Sequence, residues 1–364
     1  MIRIESDIAS IIFVSRPNKL QSSPFKEGID IHIDRYSYIM TDRIIQSSCQ
    51  TADDLFKKGQ SALKKRVLFG SKKSNYQKAA LLFGDAAQLY MSVHLYEESG
   101  HAYLAKAEAL VKAENEKDAA EAYSDAADAY ERMMGFEGVN TEKMAECLNA
   151  ASRISFEQGA IQRAARILKD LGERLTMDQS NPTSLELATE ALYKSADYYG
   201  MENAHAHVND CYEKAAIALG YKEDWQKASR AWQKILFAEH NKQKGSSGTK
   251  SLIQFKTNKY IFRSVLCQLA GLKTGYMNDD LELIENDLDM LTDAYGYNFE
   301  KNREYDLLQL FLVLFKEKDL KKLKAAIQQA PQVIQEDDHS KFLLAAVADK
   351  LEKASKHVGE VDLT

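Results

Sequence analysis

From Phe83 onward, a bulky apolar residue flanked three and four positions away by small residues returns about every twenty positions. The series Phe83, Tyr103, Tyr123, Leu148, Leu168, Leu192, Tyr212, Trp232 is spaced, by subtraction, at 20, 20, 25, 20, 24, 20 and 20 residues. In KAALLFGDAAQLY (78–90) and DAAEAYSDAADAY (118–130), Ala-Ala pairs lie four and three residues before the aromatic and three and four after it. Those offsets share one face of an α-helix. Small residues there let neighbouring helix backbones approach, and the aromatic fills the space between them.

Twenty residues accommodate a helix of about 14–16 residues and a short turn. Gly159, Gly200 and Gly220 fall where such turns are expected, in keeping with glycine's place at helix C-termini. Two helices then make a unit of about forty residues, and units of that length stack into a solenoid with an extended face for partners. The expected fold is all-α: a TPR-like, right-handed solenoid of helical hairpins followed by a C-terminal helical bundle. An ordinary helical bundle is the alternative.

With 364 residues, 45% of them hydrophobic, the chain has material for a large core, and its formal charge of −6 argues against bulk nucleic-acid binding. Cys49, Cys147, Cys211 and Cys267 lie far apart without CxxC or CxxH spacing, so neither a zinc site nor a disulfide framework is expected and a reducing compartment is. The early apolar run at 8–14 follows Glu5 and Asp7 and is too short to cross a bilayer. The glycine-rich phosphate loop, HExxH and GxSxG are absent. His205 and His207, two apart, point in divergent directions on a helix. The chain is therefore expected not to be an enzyme and to use no metal or cofactor.

Residues 1–39 share nothing with the repeat and are read as a disordered extension or a mis-assigned start, with Met40 as initiator. The alternating run at 29–33, IDIHI, is at most an isolated strand. Thr51, with Asp54 three residues later, is read as capping a first helix that begins near Ala52. The solenoid is assigned to 40–240, HNKQKGSSGTKS (240–251) is the clearest loop, the bundle takes 251–358, and 359–364 is an acidic tail. Helices are expected at about 251–273, 279–295, 302–315, 317–329 and 340–357, with Pro331 interrupting the last pair.

On these residues the chain resembles the soluble NSF attachment proteins, the SNAP adaptors of membrane fusion, and most of all their alpha type. The likeness runs from about Ala52 to Thr364 and rests on KSADYYG (194–200), WQKASRAWQKI (225–235), NKYIFRSVLC (258–267) and the ending Asp362-Leu363-Thr364, all in order on the helical repeat. The resemblance implies a cytoplasmic, peripheral membrane adaptor. Such a protein wraps a SNARE complex, a syntaxin-type bundle, recruits the hexameric ATPase NSF, and couples ATP hydrolysis to disassembly of the bundle. The rival is a TPR-type protein that docks chaperones or serves as a scaffold.

Three features bear on that reading. KKRVLFGSKK (64–73) sets Val67, Leu68 and Phe69 between two basic clusters, a composition suited to a membrane surface; packing on the first helix is the other possibility. Arg163, Arg166, Lys169 and Arg174 on one helix, with Lys214, Lys227 and Arg230 on later ones, form a basic content that would orient the acidic exterior of a SNARE bundle. By resemblance Arg166 stands at a SNARE-contacting lysine and Lys214 matches another family position, while Asp210 stands where the family has a lysine. At the C-terminus, Leu363 beside Glu360 and Asp362 matches the family's NSF-activating end, and Glu317, Asp337 and Asp338 add acidic groups for the ATPase.

Overall fold

The computed structural model describes residues 27–65, 72–133, 141–243, 250–273, 277–296 and 298–361. Its helices are α1 (Glu27–Lys64), α2 (Lys72–Ser92), α3 (Tyr96–Lys112), α4 (Glu116–Glu131), α5 (Thr141–Glu157), α6 (Ile161–Thr176), α7 (Pro182–Met201), α8 (His205–Tyr221), α9 (Trp225–Gln243), α10 (Lys250–Ala270), α11 (Met277–Tyr295), α12 (Arg303–Glu317), α13 (Leu320–Gln328), α14 (Gln332–Gln335) and α15 (Asp338–Val361). From α1 to α10 each helix packs chiefly on its neighbours in the chain, the hairpin array anticipated from the spacing. No strand occurs among the described residues.

The small residues lie where the repeat places them. Ala79, Ala80, Ala86 and Ala87 around Phe83, and Ala119, Ala120, Ala126 and Ala127 around Tyr123, are all buried. Phe83, Leu148, Leu168, Leu192 and Trp232 are buried with them. Tyr103, Tyr123 and Tyr212 are only half-buried, since a phenol packs its ring and keeps its hydroxyl near water. At three contacts the receiving residue is a glycine. A Cβ on Gly59 would lie 2.7 Å from the Phe83 ring, one on Gly100 2.6 Å from the Tyr130 ring, and one on Gly172 2.4 Å from Leu192 Cγ. Buried serines tie the same layers: Ser99 donates to the Ala87 carbonyl at 2.9 Å, Ser152 to that of Ala164 at 3.0 Å, and Ser195 to that of Ala165 at 2.7 Å.

Among the described residues, five three-residue connections of the hairpin array share one turn whose middle residue is left-handed: His94, Glu114, Gly159, Asn203 and Glu223, with φ of 62°, 56°, 77°, 55° and 60°. In each, the third residue donates its N–H five residues back, from Leu95 to Tyr90, Asn115 to Leu110, Ala160 to Ser155, Ala204 to Tyr199 and Asp224 to Leu219, at 2.9–3.0 Å. A second bond joins the left-handed residue to the carbonyl three back. This is the Schellman arrangement, which satisfies carbonyls a helix end leaves free. Of the three glycines expected at turns, only Gly159 occupies the left-handed position. Gly200 and Gly220 close their helices instead, while Asn203 and Glu223 take the strained place. Gly220 serves packing, since a Cβ there would lie 3.3 Å from His339 Cε1.

Other boundaries also move. The first helix begins at Glu27 rather than near Ala52, and 29–33 is helical rather than a strand. From Ile29 to Lys58 the sequence has neither proline nor glycine to stop a helix. The expected break at 39/40 is not a helix end. Residues 1–26 lie outside the described residues. At the next loop α9 continues to Gln243 and α10 opens at Lys250, so the expected loop at 240–251 is helical at both ends.

Beyond that loop the pattern changes. α10 is the axis of the C-terminal bundle, with α9, α11, α12 and α15 packed around it. Tyr260, Ile261, Phe262, Val265, Leu266, Cys267, Leu269 and Ala270 are all buried. One core runs from Ala216 on α8 through Trp232 on α9 to Ala354 on α15. The bundle therefore grows out of the last hairpin without a break in apolar packing.

At that junction Arg263, 2% exposed, donates to Glu213 of α8 at 3.1 Å and to both oxygens of Asp337 at 2.8 and 2.7 Å. Its guanidinium lies 4.8 Å from the Trp232 ring centre. Tyr260 donates to Glu213 at 3.2 Å, Lys259 pairs with Asp337 at 3.3 Å, and the Ser340 backbone and hydroxyl donate to Asp337. Burial pushes the Asp337 carboxyl up, but the bonds from Arg263 and Ser340 outweigh it and hold the group well below the usual carboxylate range. His339 is packed among Tyr221, Trp232 and Phe342, and neither ring nitrogen has a hydrogen-bond partner among the described residues. Burial, reinforced by Arg263 and Lys259 against the opposing Asp337, lowers its pKa to about 3.

Two predictions follow from this packing. Gly159→Ala, with nothing near its Cβ, should cost about 1 kcal/mol of backbone strain. Gly172→Ala, which must displace Leu192, should cost about 1–3 kcal/mol. Urea denaturation ranks the two, and a harmless Gly172→Ala would contradict the close approach. For His339, an unfolded imidazole takes a proton near pH 6.5 and the folded one only near 3. Stability is therefore lost as pH falls below about 6.5, by up to about 1.4 kcal/mol per pH unit. Between pH 7 and 5 the midpoint of His339→Asn should fall less steeply than that of the parent; equal slopes would contradict it.

Candidate partner-binding surfaces

Helices α4, α6, α8 and α10 form one layer of the hairpin array, joined by charged side chains that reach past the intervening helix. α6 is the centre of this layer, and IQRAARILKDLGERLT divides its polar residues between two sides. Ala164, Ala165, Leu168, Leu171 and Leu175 are buried, so the long charged residues emerge to left and right of the apolar stripe.

Towards α4, Arg174 Nη1 lies 2.7 Å from both Asp128 and Glu131, and Arg163 lies 3.5 Å from Glu121. Towards α8, Lys169 Nζ lies 2.7 Å from Asp210 and 3.8 Å from Glu173, while Lys214 Nζ lies 2.7 Å from Asp210 and 3.5 Å from Glu173. Two lysines and two carboxylates thus close a neutral quartet. Partial burial pushes the Asp210 carboxyl up, but the hydrogen bonds from Lys169 and Lys214 outweigh it and its pKa is lowered. Burial likewise opposes the charge on both lysines, and the bonds to Asp210 overcome it to raise each pKa. All three are ionised at neutral pH.

The basic content expected of these helices is therefore largely compensated within the chain. Arg163, Lys169, Arg174 and Lys214 all have carboxylate partners, and Lys227 pairs with Asp224 at 2.8 Å. Arg166 and Arg230 are exposed and have no ion pair among the described residues. Lys169 and Lys214 meet across the α6–α8 seam through Asp210, while Arg166, one helical turn before Lys169, stands exposed between the two sides of α6.

Farther along the layer, a groove of about 740 Å³ lies between α2, α3, α4 and α6 and is lined by Asp85, Asp118, Glu121 and Asp125 opposite Lys106 and Arg163. Lys106 pairs with Asp125 at 3.5 Å. The surface near the N-terminal end of the layer is thus acidic.

Val67, Leu68 and Phe69 lie outside the described residues. The segment's flanks are held: Asn75 donates to the Lys65 carbonyl at 3.1 Å and Lys73 pairs with Glu114 at 3.0 Å. Asp362 and Leu363 also lie outside the described residues. Glu317 is exposed at the end of α12, 3.6 Å from Lys322. Asp338 is 95% exposed beside Lys341. Asp337, by contrast, is no surface acid, because its carboxylate is committed to Arg263 and Ser340.

Among the described residues no group of His, Cys, Asp and Glu is arranged to hold a metal, and no helix is long and apolar enough to cross a membrane. His207 stacks on Tyr199 with ring centres 4.7 Å apart. The Arg263 cluster went unread in the sequence, although an arginine inside the apolar run YIFRSVLC marks a place where a buried partner is required.

A family model described as "Soluble NSF attachment protein, SNAP" matches residues 50–352. The chain is 25% identical over 315 residues to an alpha-soluble NSF attachment protein of Vitis vinifera, covering 86% of this chain and 98% of that protein. It is 26% identical over 300 residues to the vesicular-fusion protein SEC17 of Komagataella phaffii, covering 81% and 91%. Against the human alpha-soluble NSF attachment protein it is 24% identical over 204 residues, 56% of this chain and 63% of that protein.

Proposed function

The chain belongs to the soluble NSF attachment protein family, and from that membership we propose that it is an adaptor of vesicle-mediated membrane fusion. It binds SNARE complexes, recruits NSF and stimulates its ATPase so that the bundles come apart. The observation that carries this reading is the family match across residues 50–352, which spans most of the hairpin array and the C-terminal bundle. The family is one of adaptors rather than enzymes, and the ATP is hydrolysed by the partner.

The finer assignments follow from chemistry. A syntaxin-type bundle lies against the α6–α8 face, where exposed Arg166 meets its acidic exterior. Val67, Leu68 and Phe69, between Lys64, Lys65, Lys72 and Lys73, touch the membrane surface. Burying those three side chains supplies on the order of 1.5–3 kcal/mol each before ordering costs, so single copies hold weakly and several around one bundle hold together. Glu317, Asp362 and Leu363 engage NSF, the acids by charge and Leu363 by filling an apolar pocket. The protein is cytoplasmic and peripheral to the membrane.

The test is disassembly of liposome-anchored SNARE bundles by NSF and ATP with this protein as the only adaptor. Disassembly is expected, and its absence with folded protein would reject the adaptor reading. Changing Val67, Leu68 and Phe69 to serine should slow the reaction on liposomes and leave it unchanged with soluble bundles. Leu363→Ala should bind SNARE bundles normally and lower ATPase stimulation; equal stimulation would remove Leu363 from the NSF contact.

A further inference from the structure

Of the three cations at the exposed surface of α6 and α8, Lys169 and Lys214 are bonded to the same carboxylate. We propose that Asp210 is an internal counterion that sets the strength and the salt dependence with which this face takes an acidic helical partner. This rests on the adaptor reading above and concerns the same surface.

The geometry carries the argument. Lys169 comes from α6 and Lys214 from α8, each with its Nζ 2.7 Å from a different oxygen of Asp210. Glu173 reaches the same two ammonium groups at 3.8 and 3.5 Å, on the side away from Arg166 in the α6 sequence. The quartet sums to zero charge, and Arg166, one helical turn before Lys169, is the cation of this face without an ion pair among the described residues. An incoming carboxylate gains little from Lys169 or Lys214 unless it displaces Asp210, which costs as much contact as it makes. Among these cations Arg166 is left to meet the partner, beside the exposed Asp170 one turn on.

Two consequences distinguish Asp210 from a merely structural residue. Its removal should strengthen binding, whereas losing a structural residue weakens it. The same removal should also steepen the response to salt, because two lysines then meet the partner's charge instead of their own.

The experiment measures equilibrium binding of a soluble SNARE bundle to the full chain between about 50 and 300 mM salt, a range over which screening of exposed charges changes severalfold. Asp210→Asn, close in shape, is expected to bind about fivefold tighter or more at low salt, with a steeper salt slope. Glu173→Gln, which releases only the longer contacts, should gain less. Binding by Asp210→Asn equal to or weaker than that of the parent, at an unchanged slope, would overturn the proposal while leaving the adaptor reading intact. Failure of the parent itself to bind would overturn both. Should Asp210→Asn prove unfolded by circular dichroism, the parent protein still decides. Its salt slope should be shallow and largely abolished in Arg166→Gln; a steep slope surviving in Arg166→Gln would show that Lys169 and Lys214 are already free to bind.

Discussion

When the facing positions of two helices are alanine or glycine, their backbones come close enough that a bulky residue from the next helix must fill the hollow. Phe83 against Gly59, Tyr130 against Gly100 and Leu192 against Gly172 are three cases in which a larger residue would have to displace the facing side chain. This approach fixes the stacking of successive helices, and with it the spacing of α4, α6 and α8. The bridges from Arg174 to Asp128 and from Lys169 to Asp210 exist because helices two apart in the chain are held within reach. Surface chemistry in this protein is thus a product of core packing.

A second constraint joins the hairpin array to the bundle. Arg263 is buried between Glu213 on α8 and Asp337 before α15, with Trp232 beneath it. A buried guanidinium is costly unless carboxylates pair with it, so the placement of α8 and α15 against α10 is constrained there. Together with the continuous apolar core from Ala216 to Ala354, the cluster ties the end of the hairpin array to the C-terminal bundle.

Much of the fold was legible because it depends on local spacing. Alanines at fixed offsets from an aromatic define a helix face whatever else the chain does, and the five helices expected after the Gly-Ser loop lie close to α10, α11, α12, α13 and α15. Turns were read less well. Glycine is the residue usually sought at a left-handed position, but a Schellman turn supplies enough hydrogen bonding to hold His94, Glu114, Asn203 and Glu223 there. The site was only half legible. The residues of the basic stripe were identifiable, and so was the acid at Asp210, yet whether a charge is free depends on partners two helices away. That is decided by the interhelix distance and not by any pattern within one helix.

As an adaptor, this chain would link an acidic helical bundle to an ATPase. The measurement that decides this is whether NSF, held in a non-hydrolysing nucleotide state, sediments with SNARE bundles in the presence and absence of the protein. NSF should be retained only when the protein is present, in a complex containing all three components. NSF retained equally without it, or lost despite the protein's own binding to the bundle, would contradict the claim.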